Sequence, residues 1–147
     1  MTVSASSPCI TGWNHSQFGK LDGIDPEVLI GQVAKAAIEH AGLQPEDIDS
    51  VHFGTFNAGF LYQDFPSSLV LNTLPQLRFK PATRLENACA TGSAAIHSGL
   101  QAIKAGESKH VLVIGFEKMT ELATAQVGEV LLKACYAKEE AGIPDST

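Results

Sequence analysis

Residues 83–116 read TRLENACATGSAAIHSGLQAIKAGESKHVLVIGF, and this stretch decides the fold. Thr83 to Ala88 predicts a strand. Cys89 to Gly106 has helical length and ends at glycine, yet Gly92, Ser93, Ala94, Ala95, Ser98, Gly99 and Ala102 make it very rich in small residues. Glycine inside a helix costs about 1 kcal/mol relative to alanine. Two of them imply that another helix or strand approaches the backbone closely. His110 to Phe116 follows as an apolar run of the kind found in parallel strands covered on both faces.

Upstream, Asp25 is placed to cap a helix, Pro26 suits its first position, and Glu27 complements its dipole. Ile30, Val33, Ala34, Ala37, Ile38 and Ala41 recur at helical spacing, and Gly42 closes the helix in the left-handed region. Gly12 to Gly23 is turn-rich. Asp47 to Gly54 reads as a polar turn running into a short strand, Val51 to Phe56. Ser67 to Leu74 predicts a shorter helix closed by Pro75. Downstream, Gln126 to Ala141 predicts an amphipathic helix with Val127, Val130, Leu131 and Ala134 on one face. Strand and helix alternate about three times, which implies an α/β layer with right-handed crossovers. With no internal repeat and no linker, residues 1–147 read as one domain.

Composition agrees. The chain has 147 residues, 44% hydrophobic and 18% charged, long enough to bury roughly 70% of its unfolded surface. Ten Lys plus Arg against sixteen Asp plus Glu give a net charge of −6, the wrong sign for a nucleic-acid partner. The longest apolar run, Val111 to Ile114, is far too short to span a membrane. Met1 to Pro8 lacks the basic and apolar regions of a signal peptide. Three cysteines at wide spacing, Cys9, Cys89 and Cys135, form neither a disulfide framework nor a zinc motif. A reducing cytoplasm is the expected location.

Cys89 is the sharpest candidate for chemistry. It follows a predicted strand and opens a predicted helix, where unsatisfied N–H groups and the macrodipole favour thiolate over thiol. The competing reading is a buried small hydrophobe at a strand end. The histidines, His15, His40, His52, His97 and His110, have no ligand-like spacing, so no metal site is expected. His97 lies about 12 Å along the helix axis from Cys89, out of reach as its base. Lys133, Lys138, Glu139 and Glu140 read as a solvated face. Gly54, Gly59 and Phe60 read as a flexible apolar turn, and Glu46, Asp47 and Asp49 as an exposed helix-to-strand connection.

Glu86-Asn87-Ala88-Cys89-Ala90-Thr91-Gly92-Ser93-Ala94-Ala95, then Gly106, then Val111 to Ile114 with Gly115-Phe116-Glu117-Lys118-Met119-Thr120, resembles the nucleophile segment of the thiolase family. The sterol-carrier-protein-type thiolases are the nearest likeness, and the resemblance runs from about Pro8 to Gly142. Thr91 stands where the family usually has Ser, and Phe116 where it has a second Gly. The resemblance implies an α/β fold: the thiolase-like N-terminal half, a mixed, mostly parallel sheet with helices on both faces (βαβαβαβ), truncated, with residues 121–147 beginning a loop region. It implies that Cys89 accepts the acyl group from a thioester or 3-ketoacyl-CoA and that its own N–H helps bind the oxyanion. Asn87, Gly92 and Ser93 would position the cysteine and allow close backbone packing, while Glu117 and Met119 fix the strand end.

By the same resemblance no cofactor is bound tightly and the coenzyme A thioester is the substrate, in acyl transfer belonging to lipid metabolism. The family's second half carries a Gly-His-Pro histidine, an Asn-bearing motif and a Cys-Gly-Gly cysteine, and none of these occurs here. Neither Cys9 nor Cys135 inherits the second-cysteine role. The expected partners are therefore an acyl-CoA or 3-ketoacyl-CoA and a second protein copy or a second-half chain, as homodimer or hetero-oligomer, with no nucleic acid and no membrane. A non-catalytic scaffold and a fragment of a related 3-ketoacyl synthase are the alternatives.

Overall fold

A computed structural model describes residues 7–140; most of the Met1–Pro8 stretch, the predicted helix end at Ala141 and the tail to Thr147 lie outside the described residues. Helix α1 spans Pro26–His40, strand β1 Ser50–Gly54, the one-turn helix α2 Val70–Thr73, strand β2 Ala82–Leu85, helix α3 Thr91–Lys104, strand β3 Val111–Gly115, helix α4 Thr124–Leu132 and the short α5 Ala137–Glu140. The order is αβαβαβαα, and among the described residues no strand precedes α1. The three strands form a wholly parallel sheet in the order β2-β1-β3.

β1 is the central strand and all five of its residues are buried. Successive strand side chains point to opposite faces, which sorts the packing. Val51 and Phe53 join Leu112 and Ile114 of β3 against Leu29, Ile30, Ala34 and Ile38 of α1, and Val70 of α2 belongs to the same core. His52 and Gly54 face α3, where Ser98 meets the His52 ring and Thr91 and Ala95 lie over Gly54. Helices therefore cover both faces. The close approach expected of the small-residue helix occurs at Gly99, where a Cβ would sit 3.0 Å from Val111 Cγ1 and 3.3 Å from Val113 Cγ2. β3 is less enclosed than its apolar run suggested: it is an edge strand, and Val113 remains 36% exposed beside that glycine.

Several boundaries shift for local reasons. Asp25 occupies the helix-cap position without a side-chain bond; its carbonyl instead accepts the N–H groups of Val28 and Leu29, both at 3.1 Å. Gly42 and Gly106 follow α1 and α3 with φ of +71° and +75°, as helix-ending glycines do. The predicted helix Ser67–Leu74 is broken into a 3₁₀ turn, Pro66–Ser68, one turn of α2 and another 3₁₀ turn, Pro75–Leu77. Pro66 and Pro75 each open one of these turns at its first position, where a missing N–H is no loss, and Pro75 ends the run after Leu74 as expected.

The predicted helix Gln126–Ala141 begins earlier, because Gln126 Oε1 accepts the Ala123 N–H at 3.1 Å, and divides after Leu132. Val130 is the one buried residue of α4, set against Gly59 and held through its carbonyl by Asn57 Nδ2 at 2.9 Å. Leu131 is exposed, so the expected apolar face does not continue.

The segment before α1 is pinned by side chains. Gly12 crosses α1 so tightly that a Cβ would lie 2.5 Å from the Ala37 carbonyl oxygen. Beside it Trp13 stands edge-on to His40 with ring centroids 6.4 Å apart, and His40 Nδ1 is 2.9 Å from the Trp13 carbonyl oxygen. Buried Lys118 donates to the Ile24 carbonyl at 2.6 Å and to Glu121. No helix among the described residues is long and apolar enough to cross a membrane.

Candidate active site

The three parallel strands end side by side, with Gly54 paired to both Leu85 and Gly115. Open parallel sheets take ligands in the crevice outside such carboxyl ends. β2 is followed directly by Glu86, Asn87 and a 3₁₀ turn, Ala88–Ala90, which leads into α3. Cys89 is the middle residue of that turn and is exposed. It thus lies just outside the α-helix it was expected to open, and it is not the buried small hydrophobe of the competing reading.

The turn is conformationally costly. Ala88 has φ of +45°, a left-handed value for a residue that carries a Cβ, and such placements cost of order 1–3 kcal/mol unless their surroundings impose them. Its backbone bonds run from Ala90 N–H to the Asn87 carbonyl at 2.9 Å and from Thr91 N–H to the Ala88 carbonyl. They leave the N–H of Cys89 itself out of the turn's own bonding. The Thr91 side chain adds to them: its Oγ1 accepts the Asn87 N–H at 2.8 Å and lies 2.8 Å from the Ala88 carbonyl oxygen and 3.3 Å from that of Thr55.

Thr55 and Glu117 carry this bonding across the strand ends. The Glu117 carboxylate accepts the Phe56 N–H at 2.7 Å and the Thr55 hydroxyl at 3.4 Å. Burial raises its pKa above the usual 4.5, while those two bonds work in the opposite direction. Residues following β3, β1 and β2 are thereby joined through the first residue of α3. Glu117 does tie down the strand end, and Met119 opens the 3₁₀ turn Met119–Glu121.

Other expected residues divide. Asn87 acts through its backbone. Ser93 is exposed, and a Cβ at Gly92 would meet nothing within 4 Å, so Gly92 serves no close packing within the described residues. His97 is exposed on α3. His52 is buried, with Nδ1 2.9 Å from Ser98 Oγ and Nε2 3.3 Å from Ser50 Oγ, which in turn lies 3.0 Å from Ser108 Oγ. Its burial lowers its pKa below 6.5. His110 Nδ1 lies 3.0 Å from the Asp47 carbonyl oxygen, and His15 meets the Ser16 carbonyl. No group of three His, Cys, Asp or Glu suited to a metal ion is assembled among the described residues.

Asp49 is not simply a solvated connector. Its Oδ2 accepts the Lys109 N–H at 2.7 Å and the His110 N–H at 3.0 Å, and these bonds, His110's foremost, lower its pKa below 3.8. A hollow of about 390 Å³ beside β2, lined by Asp64, Phe65 and Arg84, does not include Cys89. Sequence reasoning passed over Thr55 and saw in Thr91 only a substitution for serine. The available signal was a threonine directly after a strand and another at the head of a glycine-containing helix.

Residues 9–142 match the thiolase N-terminal domain family. Acetyl-CoA acetyltransferase of Methanothermobacter thermautotrophicus is 35% identical over 114 residues, 77% of this chain and 30% of that enzyme. Among solved structures, acetyl-CoA acetyltransferase from Syntrophomonas wolfei superposes with a TM-score of 0.62 at 24% identity, covering 71% of this chain and 27% of its own. The 3-oxoacyl-[acyl-carrier-protein] synthase III of Aquifex aeolicus gives 0.61 at 29% identity, covering 68% and 32%. The chain spans about 30% of the length of the curated acetyltransferase relative it matches. A family match from Cys9 to Gly142, on a fold these enzymes share, makes this chain a member of the thiolase N-terminal domain family.

Proposed function

We propose that Cys89 is the nucleophile of an acyl transfer from a coenzyme A thioester, in cleavage of a 3-ketoacyl-CoA or condensation of acetyl-CoA. The observation that carries this reading is the exposed sulfur at the centre of the turn between β2 and α3, in a chain of this family. In condensation the thiolate attacks the thioester carbonyl carbon of acetyl-CoA, the new carbon–sulfur bond forms as the bond to coenzyme A breaks, and the departing thiolate takes a proton from solvent; in cleavage it attacks the 3-keto carbon of the 3-ketoacyl-CoA, the bond between carbons 2 and 3 breaks, and the departing acetyl-CoA carbanion takes the proton. The N–H of Cys89, unpaired among the described residues, suits the developing oxyanion. No tightly bound cofactor is needed.

Incubation of the 147-residue chain with acetyl-CoA, followed by peptide mass analysis, tests this directly. An acetyl group on Cys89 is expected, and it is lost in Cys89→Ala. Absence of the adduct while iodoacetamide still alkylates Cys89 overturns the reading. Sustained turnover by this chain alone is not expected, because the Gly-His-Pro histidine and the Cys-Gly-Gly cysteine are absent from the sequence, and loss of a general base and an oxyanion donor costs orders of magnitude in rate.

On this reading residues 1–147 are one N-terminal domain, with Glu121 onward beginning a loop region. It works in the cytoplasm beside a second copy or a chain supplying the missing groups, and its three exposed cysteines, none in a disulfide, suit a reducing compartment. The likeness to a 3-oxoacyl-[acyl-carrier-protein] synthase III supports a second reading, condensation on the same cysteine. A scaffold without chemistry is separated from both by Cys89→Ala in the assembled complex: unchanged activity favours the scaffold.

A further inference from the structure

We infer that the Thr91 hydroxyl is the positioning group that holds Cys89 on its turn, an inference that rests on the nucleophile reading above. Thr91 is only 6% exposed, and among the described residues its hydroxyl bonds to main-chain atoms alone. It takes the Asn87 N–H at 2.8 Å through a lone pair and has one hydrogen to give, either to the Ala88 carbonyl at 2.8 Å or to the Thr55 carbonyl at 3.3 Å. With the nearer acceptor, the side chain closes a ring over residues 87–91 with Cys89 at its middle. The ring holds Ala88 at φ of +45°, a backbone angle that sets the direction in which the following residue leaves the strand.

The methyl group has a separate task. A Cβ on Gly54 would come within 2.7 Å of Thr91 Cγ2, so the methyl seats the head of α3 on the end of β1. Hydroxyl and methyl can therefore be tested apart. Thr91→Ser keeps the clamp and loses the seat, Thr91→Val keeps the shape and loses the clamp, and Thr91→Ala loses both without adding bulk.

The test is peptide-resolved reaction of the full chain with iodoacetamide across pH and with acetyl-CoA, with Cys9 and Cys135 as internal references. Thr91→Ser is expected to stay within about twofold of the parent at Cys89. Thr91→Val and Thr91→Ala are expected to shift the pH profile of Cys89 alkylation and to lower acetyl transfer about tenfold, with Cys9 and Cys135 unchanged. Parent-like Cys89 reactivity in a folded Thr91→Val or Thr91→Ala overturns the inference, as does a loss in Thr91→Ser equal to theirs. A parallel change at all three cysteines marks a merely structural role and overturns it too. Amide exchange of the parent chain gives a reading that needs no variant: slow exchange at the Asn87 N–H is expected, and exchange at the unprotected rate counts against the clamp. Should the parent take alkyl but not acetyl groups at Cys89, the nucleophile reading fails, while the alkylation and exchange readouts still decide the clamp.

Discussion

Burial disfavours the charged form at both His52 and Glu117, and the two act on stability in opposite senses of pH. His52 has its folded pKa below the ordinary 6.5, so its contribution is fully present above pH 6.5 and is lost as pH falls through the folded value. Glu117 has its folded pKa above 4.5, so its contribution is present below pH 4.5 and is lost as pH rises through the folded value. Between these limits they oppose each other. Urea midpoints measured from pH 4.5 to 7.5 are expected to fall on acidification more steeply in Glu117→Gln than in the parent. In His52→Gln the acid-side loss disappears and the midpoint instead falls as pH rises from 4.5. Identical profiles for the parent and both variants would contradict this. The sequence marked His52 as no metal ligand but concealed its burial, because its partner Ser98 is 46 positions away and reaches it only when α3 packs on β1. The position of Cys89 between a strand and a small-residue helix was legible because the three are contiguous in sequence. The hydrogen bonding around it was not, since it joins Thr55, Asn87, Thr91 and Glu117 across three strand ends.

At the level of the elements, α3 owes its seat to absent side chains, and the individual glycines are not equivalent. Gly54→Ala places a Cβ 2.7 Å from Thr91 Cγ2 and 3.4 Å from Ala95 Cβ. It is expected to destabilise the chain by about 1–3 kcal/mol, the usual cost of overpacking. Gly92→Ala meets nothing within 4 Å and, lying in the first turn of α3, is expected to stabilise the chain by less than the roughly 1 kcal/mol of a helix interior. Urea unfolding of the two variants checks both signs, and a stabilised Gly54→Ala would refute the packing described for α3. The sequence announced a close approach somewhere along this helix, and three-dimensional packing assigned it to Gly99. The continuous helix expected at 126–141 failed for a related reason: periodicity marks which residues share a face, but not how far the rest of the molecule extends to cover it, and among the described residues cover ends at Val130.

For the whole molecule, the order β2-β1-β3 leaves an edge on each outer strand that is unpaired among the described residues, and Tyr62, Phe65 and Phe79 are exposed apolar side chains. Unpaired strand edges and uncovered apolar surface favour association. Light scattering of the purified chain is expected to give a dimer or larger species, and a monodisperse monomer across micromolar concentrations would refute this. The α/β class was readable because alternation is a property of the chain, whereas the strand order depends on pairings between segments remote in sequence. Trp13 is the one tryptophan, and it sits where the leading segment crosses α1, against the His40 imidazole. The indole is thus a built-in optical reporter of that crossing rather than of the sheet. Its emission follows release of the leading segment while far-ultraviolet dichroism follows the helices, and any gap between the two curves measures how much more readily the first part of the chain lets go.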